Sequence, residues 1–164
     1  MGAGKSRVGR ALARRLGFRF IDSDDEIEKT AELTIAEIFA REGEAGFRKR
    51  ERAVLEALPD RRCVVALGGG AVASAENRLV LREKGRLVWL DARPETIVER
   101  VGAASERPLL AGLDRAGRLA KLAELREARR AAYATAEIRI ETDALGADEV
   151  CAAILDALGD GAAT

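Results

Sequence analysis

Histidine is absent from this 164-residue chain, and cysteine, proline and aromatic residues are scarce. Without histidine, the protein has neither histidine acid–base catalysis nor histidine metal ligands. Its two cysteines, Cys63 and Cys151, carry no metal-ligand spacing. Two lone cysteines without a secretory signal are typical of a reduced, cytoplasmic compartment. No apolar run approaches the roughly 20 residues that a membrane span needs.

A net charge is lacking as well, because 28 Lys and Arg residues balance 28 Asp and Glu residues. This balance predicts neither a nucleic-acid-binding nor a membrane-binding surface. The hydrophobic share of 48% and the charged share of 34% are ordinary for a globular protein. We therefore expect one domain over residues 1–158, followed by a disordered tail over 159–164.

What is present begins at the first residue, where Met1-Gly-Ala-Gly-Lys-Ser6 precedes an amphipathic helix. Gly4-Lys5-Ser6 matches the end of the phosphate-binding pattern G-x-x-x-x-G-K-[ST]. In such a loop backbone N–H groups and the helix N-terminus bind phosphate, Lys5 would reach the outer phosphates, and Ser6 would be a ligand of Mg²⁺. The alternative from these residues alone is a flexible glycine-rich tail before a basic helix.

Strand and helix patterns alternate along the rest of the chain. The helical segments include 6–16, 23–29, a helix restarted by the capping box at Thr34 and broken by Gly43, 47–58, 77–84, 94–101, 114–133 and 149–158. The strands are predicted at 18–22, 63–67, 86–90 and 137–141. This alternation predicts an α/β protein with a parallel sheet, and a phosphate-binding loop implies a further strand ahead of Met1.

Two predicted strands end in residues suited to ligand binding. Asp22 and Asp24 follow the first strand, at the edge where open α/β sheets bind their ligands. Either acid could instead cap a helix. Gly68-Gly69-Gly70 follows the next strand, and three successive glycines indicate a close approach of a ligand to the backbone.

Most arginines of a chain this rich in them lie on the solvated surface, but Arg107 differs. It precedes Pro108 in the one long aperiodic stretch, Gly102 to Gly112, which we interpret as a mobile loop. A loop arginine above a phosphate site neutralises charge during phosphoryl transfer. Together with Lys5 and Mg²⁺, it indicates a nucleoside-triphosphate kinase with a small acceptor.

Six motifs, in this order, give the chain a resemblance to the shikimate kinase family over almost its whole length. They are Gly-Ala-Gly-Lys-Ser, Phe20-Ile21-Asp22-Ser23-Asp24, Gly43-Glu44-x-x-Phe47-Arg48-x-x-Glu51, Leu67-Gly68-Gly69-Gly70, Arg107-Pro108-Leu109-Leu110 and Arg129-x-x-x-Tyr133. The resemblance implies a P-loop NTPase-type, nucleoside-monophosphate-kinase-like fold of three layers, α/β/α. Its parallel sheet would have the order 2-3-1-4-5, a substrate-binding helical region at about 24–58 and a lid at about 102–116.

The resemblance also implies a nucleotide site for ATP and Mg²⁺. Matching positions would hold the ATP phosphates with Gly2, Ala3, Gly4, Lys5 and Ser6. Ser6 and Asp22 would serve Mg²⁺, the latter through water. Arg107 matches the lid arginine, and Arg100 matches an arginine that packs on adenine.

On the acceptor side, the resemblance implies transfer of the ATP γ-phosphate to the 3-hydroxyl of shikimate, a step of aromatic amino-acid biosynthesis. Asp24 matches the acid that binds the ring hydroxyls and takes the acceptor's proton. Arg48 and Arg129 match the pair that binds the shikimate carboxylate, and planar arginines suit that role. Gly69 and Gly70 match backbone that contacts the substrate. A cytoplasmic monomer without nucleic-acid or membrane partners is expected.

The start of the chain raises a question of its own. In the family order the first strand is central, and neither that strand nor the first loop glycine lies at or after Met1. We therefore expect that Met1 is an internal methionine of a longer natural chain, and an in-frame stop codon just upstream would exclude this.

Two rival functions remain open at the level of sequence. One is another small-metabolite kinase, such as a gluconate kinase, which the pair Arg48 and Arg129 and the triple glycine disfavour. The other is a truncated, non-catalytic remnant of the fold, which the intact acids and arginines of the motifs disfavour.

Overall fold

The computed structural model describes residues 2–101, 110 and 112–160. Seven helices and four strands are found among them. Their order is α1 (Lys5–Leu16), β1 (Arg19–Asp22), α2 (Ser23–Ala31), α3 (Ile35–Glu56), β2 (Cys63–Ala66), α4 (Ala75–Lys84), β3 (Val88–Asp91), α5 (Pro94–Val101), α6 (Arg115–Tyr133), β4 (Ile138–Glu141) and α7 (Ala147–Asp160). A short 3₁₀ turn, Ala71–Ala73, lies between β2 and α4.

The chain divides into two compact units, Lys5–Leu87 and the described residues of Met1–Gly4 with Val88–Thr164. Each unit holds one two-stranded parallel sheet, β1 with β2 and β3 with β4. The prediction of a single domain over 1–158 stays a prediction. The predicted order 2-3-1-4-5 counts the strand expected ahead of Met1 as the first, so β1 to β4 correspond to its second to fifth strands. The observed pairs, β1 with β2 and β3 with β4, agree with this order.

In the first unit, Arg19 pairs with Cys63 and Asp22 with Ala66, so that β1 and β2 end at the same edge. Helix α1 packs on this sheet, and its Gly9 allows a close approach, because a Cβ there would lie 2.7 Å from Phe20 Cε2. A core of buried apolar side chains lies where β1 meets α3, the 3₁₀ turn and α4: Ile21, Leu55, Leu58, Ala71 and Leu81. A second core joins α2 to α3: Ile27, Ile38, Phe47 and Val54.

Helix α3 begins with the predicted capping box. The Thr34 hydroxyl accepts a hydrogen bond from the Glu37 N–H, and Glu37 accepts one from the Thr34 N–H. The predicted break at Gly43 is present as a kink with φ 68°, a left-handed conformation that glycine adopts without a Cβ clash. The kink redirects the second half of the helix, which carries Arg48 and Glu51.

In the second unit, β3 and β4 pair from Val88 with Ile138 to Asp91 with Glu141. Helix α7 packs on β4 and α5 packs on α6. The buried apolar side chains here include Leu122, Ile138, Val150, Cys151 and Ile154. Helix α6 also contacts β3, because Tyr133 packs against Trp89 with ring centroids 5.8 Å apart.

Several predicted boundaries move. Strand β3 begins at Val88 rather than at residue 86, and β2 ends at Ala66. The last helix runs to Asp160, so residues 159 and 160, predicted as tail, are helical. Residues 161–164 and most of the predicted lid, including Arg107, lie outside the described residues. Within the described part of the chain, every helix is too short or too polar to cross a membrane.

Candidate active site

The loop before α1 has the backbone that a phosphate-binding loop requires. Gly2 and Gly4 have φ values of 69° and 89°, which L side chains rarely adopt. A Cβ at Gly2 would also lie 2.6 Å from Ile97 Cγ2. Lys5 begins α1, and the N-terminal turn of a helix presents backbone N–H groups that are suited to bind an anion.

Ser6 and Asp22 lie side by side at the end of β1. The Ser6 hydroxyl donates a 2.8 Å hydrogen bond to Asp22 Oδ2. The other carboxylate oxygen, Asp22 Oδ1, accepts from the Asp24 N–H at 3.2 Å and thereby caps α2. The functional and capping interpretations of Asp22 are therefore compatible, because each uses a different oxygen.

A hydroxyl beside a carboxylate is an oxygen donor set, which suits Mg²⁺. No cluster of three or more acidic, cysteine or histidine side chains arranged for a metal occurs in the described ranges. Ser6 and Asp22 alone would leave most positions around the ion to phosphate and water. That is the usual arrangement for Mg²⁺ bound with a nucleotide.

Asp24 lies where several negative charges converge. Burial first, and the neighbouring charge of Asp22 second, raise the pKa of the Asp24 carboxyl group, while Lys5 acts in the opposite direction. A Cβ at Gly68 would lie 2.6 Å from Asp24 Oδ1, so the first glycine after β2 makes room for this carboxylate. A raised pKa makes the ionised carboxylate a better proton acceptor than an ordinary surface aspartate.

Arg48 is held by two carboxylates on its own helix. Its Nη1 donates to Glu51 Oε2 at 2.9 Å and its Nη2 donates to Glu44 Oε1 at 3.3 Å. Burial acts to lower the pKa of Arg48, but the hydrogen bond and charge of Glu51, together with Glu44, outweigh it and raise the pKa. The guanidinium lies over the Phe47 ring, 5.2 Å from the centroid.

Glu51 is the site residue to which the sequence assigned no role, although it stands in the quoted motif. Its residue is only 1% exposed, whereas the Arg48 side chain keeps 38% exposure. A buried carboxylate needs a cation, and here the same cation keeps a solvent-facing side. The spacing of three residues on a helix was the signal that could have indicated this pair.

The triple glycine forms a turn between the acid and the arginine. The Gly68 N–H donates to Ser23 Oγ at 2.8 Å, which ties the turn to the start of α2. A Cβ at Gly70 would lie 2.8 Å from Arg48 Nη1. One short backbone segment therefore lies beside Asp24 at one end and beside Arg48 at the other, and side chains at these positions would displace both groups.

Two further predicted site residues, Arg100 and Arg129, belong to the other unit, and Arg107 lies outside the described residues. Arg100 Nη1 donates to Thr142 Oγ1 at 3.0 Å, and Nη2 donates to the Thr142 carbonyl oxygen. Arg129 lies on α6, half-buried. The structure thus brings Lys5, Ser6, Asp22, Asp24, Arg48 and the glycine turn into one unit, and Gly2, Gly4, Arg100 and Arg129 into the other.

These features define a class of protein: a phosphate-binding loop that leads into a helix, on an α/β fold that has an acid and an arginine at the carboxyl edge of the sheet. The class is that of the P-loop kinases that phosphorylate small molecules, which are ATP-dependent phosphotransferases. Comparison with known proteins narrows this class to one family. The family model described as shikimate kinase matches residues 1–159, and the chain belongs to the shikimate kinase family.

Individual relatives agree. The chain is similar to the shikimate kinase of Symbiobacterium thermophilum, with 48% identity over 162 residues that cover 96% of this chain and 91% of the relative. Among solved structures it resembles shikimate kinase from Acinetobacter baumannii in complex with shikimate, with TM-score 0.88 and 40% identity over 98% of this chain and 89% of that one. It also resembles the enzyme from Bacteroides thetaiotaomicron, with TM-score 0.90 and 31% identity over 97% and 94% of the two chains.

The function of the chain is that of the family. It transfers the γ-phosphate of ATP to the 3-hydroxyl of shikimate, which gives shikimate 3-phosphate and ADP.

Proposed function

We propose that this chain binds shikimate across the Gly68–Gly70 turn, with its hydroxyl groups toward Asp24 and its carboxylate toward Arg48. The observation that carries the proposal is that the turn lies close to both groups: a Cβ added at Gly68 would lie 2.6 Å from Asp24 Oδ1, and one added at Gly70 would lie 2.8 Å from Arg48 Nη1. A molecule with a carboxylate at one end and hydroxyl groups at the other fits this polarity.

The carboxylate end is bound by charge and by geometry. Arg48 retains an exposed side while Glu51 and Glu44 fix its plane, so little rotamer entropy is lost when a ligand arrives. A guanidinium can bind a carboxylate through two parallel hydrogen bonds. Arg129 on α6 is the second arginine of this role, and the backbone of Gly69 and Gly70 supplies further contacts.

The nucleotide side uses the loop before α1. Gly2, Ala3, Gly4, Lys5 and Ser6 bind the ATP phosphates. Mg²⁺ is held by Ser6 and, through water, by Asp22. When bound, the ion neutralises charge on the outer phosphates. Arg100 packs on adenine, a role that its hydrogen bonds to Thr142 support by fixing the guanidinium plane.

In the reaction, Asp24 accepts a hydrogen bond from the attacking 3-hydroxyl and takes its proton as the bond to the γ-phosphorus forms and the bond from that phosphorus to the leaving ADP breaks. The raised pKa of Asp24 favours this transfer. Because phosphoryl transfer passes through a loose transition state, the base contributes less than positioning and charge. Lys5 and Arg107 stabilise the transferred phosphoryl group, and the segment that matches the family's lid, about 102–116, has the role of excluding water as a competing acceptor.

The proposal further places the protein in the cytoplasm as a monomer that acts on small molecules and binds neither nucleic acid nor membrane. The balanced charge and the two cysteines, neither of which is in a disulfide, support this. Light scattering after gel filtration tests the monomer, and a dimer mass would refute it.

The residue roles are tested with a pair of conservative variants on one helix, measured as shikimate-dependent ADP release with Mg²⁺. Arg48→Lys keeps the charge but loses the planar pair of donors, and we expect KM for shikimate to rise about tenfold. Arg52→Lys is the matched control, since Arg52 is a half-buried arginine of α3 that, like Arg48, pairs with two glutamates, Glu56 and Glu76. Equal KM values for the two variants would refute the role of Arg48. Gluconate is tested in place of shikimate in the same assay, because a gluconate kinase is the rival function.

A further inference from the structure

The turn that follows the triple glycine is held by two side chains from the start of α4. Asn77 is 3% exposed, and its Nδ2 donates to the Ala71 carbonyl oxygen at 3.0 Å. Arg78 Nη1 donates to the carbonyl oxygens of Val72 at 2.8 Å and Ala73 at 2.9 Å. Neither residue belongs to the motifs that indicate the family.

These contacts satisfy three successive carbonyl groups of the 3₁₀ turn. The last carbonyl groups of a helical turn have no partner within it and need side chains, water or further backbone to bind them. Asn77 and Arg78 supply that partner, so residues 71–73 are fixed from the helix side. The Asn77 N–H also donates to the Ser74 hydroxyl at 3.3 Å, which fixes the helix start that carries both side chains.

The turn is continuous with the glycines. The Ala71 N–H donates to the Gly68 carbonyl oxygen at 3.1 Å, and the Ala73 N–H donates to that of Gly70 at 3.0 Å. Movement of residues 71–73 would therefore move the glycine backbone. At the other end, the Gly68 N–H is fixed by Ser23 Oγ, so the glycine segment is held from both sides.

We propose that Asn77 and Arg78 are positioning residues for the acceptor, because they fix through the 3₁₀ turn the backbone of Gly69 and Gly70. The inference rests on the proposed binding of shikimate at these glycines. Glycine has no side chain that could lock its own conformation, and a binding segment made of three glycines needs its rigidity from outside. Binding affinity gains from such preorganisation because less ordering entropy is lost on binding.

Two substitutions remove the contacts. Asn77→Asp keeps the shape of the side chain but places a carboxylate oxygen against the Ala71 carbonyl oxygen. Arg78→Met removes both donors at the other two carbonyl groups. For each we expect KM for shikimate to rise about three- to tenfold, as the loss of one or two hydrogen bonds predicts, with KM for ATP changed less than about twofold and kcat less than about threefold. Arg78→Lys, which can still donate, should lie between Arg78→Met and the parent.

The matched control is Lys84→Met, at the other end of the same helix. Lys84 Nζ also donates to a backbone carbonyl oxygen, that of Leu58 at 2.8 Å, but it does not bond to the glycine turn. It should lower the melting temperature without changing KM for shikimate. A purely structural role of Asn77 and Arg78 would give the same result as this control.

The outcomes separate this inference from the proposed function. If Asn77→Asp does not fold, the Arg78 variants decide alone. If the parent enzyme phosphorylates shikimate and the KM for shikimate of the variants stays within twofold of the parent value, this inference is overturned and the proposed function stays intact. If Arg48→Lys leaves KM for shikimate unchanged, the proposed binding of shikimate between Asp24 and Arg48 is overturned, and this inference is overturned with it.

Discussion

Substitution of Gly70 by alanine separates substrate binding from stability. The backbone of Gly70 has φ −102° and ψ −12°, a conformation that alanine adopts without strain. The added Cβ would lie 2.8 Å from Arg48 Nη1 and 2.9 Å from Nη2. Since ordinary contact begins near 3.4 Å, the guanidinium would retreat by about 0.6 Å.

A shift of this size is small for folding and large for binding. The displaced atoms are the end of a flexible side chain, so we expect the free energy of unfolding to change by less than about 1 kcal/mol. Binding groups must stay within about 0.5 Å of their productive position, and we expect KM for shikimate to rise about tenfold. KM for ATP should not change, because Gly70 lies beside Arg48, which we propose binds the acceptor and not the nucleotide.

The assay is steady-state ADP release with each substrate varied in turn, together with urea denaturation. Gly85→Ala is the matched control, because Gly85 lies in the same unit, has extended backbone, and would place its new Cβ with no heavy atom within 4 Å. It should leave both KM values unchanged. The reasoning would be refuted by an unchanged KM for shikimate in Gly70→Ala, or by a loss of stability above about 2 kcal/mol, which would mean that the backbone moves instead of Arg48.

Three further substitutions test the charges of the two units. Asp24→Asn should lower kcat by about 100-fold or more. Because burial and then Asp22 raise the pKa of Asp24, the native state binds the proton more tightly than the unfolded chain, and the stability of the parent falls as pH rises through the raised pKa. The variant should therefore be more stable than the parent at pH 7, and denaturation curves should show this difference disappearing in acid. Glu51→Gln should lower the free energy of unfolding by roughly 1–2 kcal/mol, since glutamine keeps an acceptor oxygen while Arg48, which is 38% exposed, loses the charge of its buried partner, and an unchanged urea midpoint would contradict this. Asp91→Asn should lower the free energy of unfolding by about 1–2 kcal/mol, because the buried Asp91 carboxylate accepts hydrogen bonds from Arg126 and Arg139, whose side chains are 43% and 51% exposed. KM for shikimate need not change in this variant.

Local signals in the sequence predicted the starts, breaks and ends of helices well where a single residue determines them. The capping box at Thr34 and the stop at Gly85 are confirmed, because each depends on hydrogen bonds within a few residues. The break at Gly43 is confirmed as a kink, because glycine adopts the left-handed φ found there without a Cβ clash. Strand limits were less accurate, because a strand extends only where its partner continues. Residue 86 was expected in β3, but the ladder starts where Val88 meets Ile138.

In the candidate site, the sequence predicted which residue types converge but not how they are held. Ser23 was predicted only as the first residue of a helix, and its bond to Gly68 spans 45 positions. The burial of Glu51 depends on α3 packing beside the glycine turn, which helix periodicity does not reveal. Non-local partners of this kind require the fold, whereas the spacing of Asp22 and Asp24 after a strand was visible directly. The roles of these residues stay predictions until the variants are measured.

The two aspartates at the end of β1 show how neighbouring carboxylates acquire different chemistry. Asp22 has one oxygen bonded to a hydroxyl and the other to a backbone N–H, so its plane is fixed beside the Ser6 hydroxyl. Asp24 lies beside Gly68, where an added Cβ would be 2.6 Å from its Oδ1, and burial and surrounding acids raise its pKa. The acid with neutral donors on both oxygens is suited to orient the water shell of Mg²⁺, and the acid with a raised pKa is suited to take a proton. Exchange of the two roles would require exchange of their neighbours, so we expect that Asp22→Asn raises the Mg²⁺ concentration needed for half-maximal activity, whereas Asp24→Asn lowers kcat at saturating Mg²⁺. Identical Mg²⁺ profiles for the two variants would contradict this division.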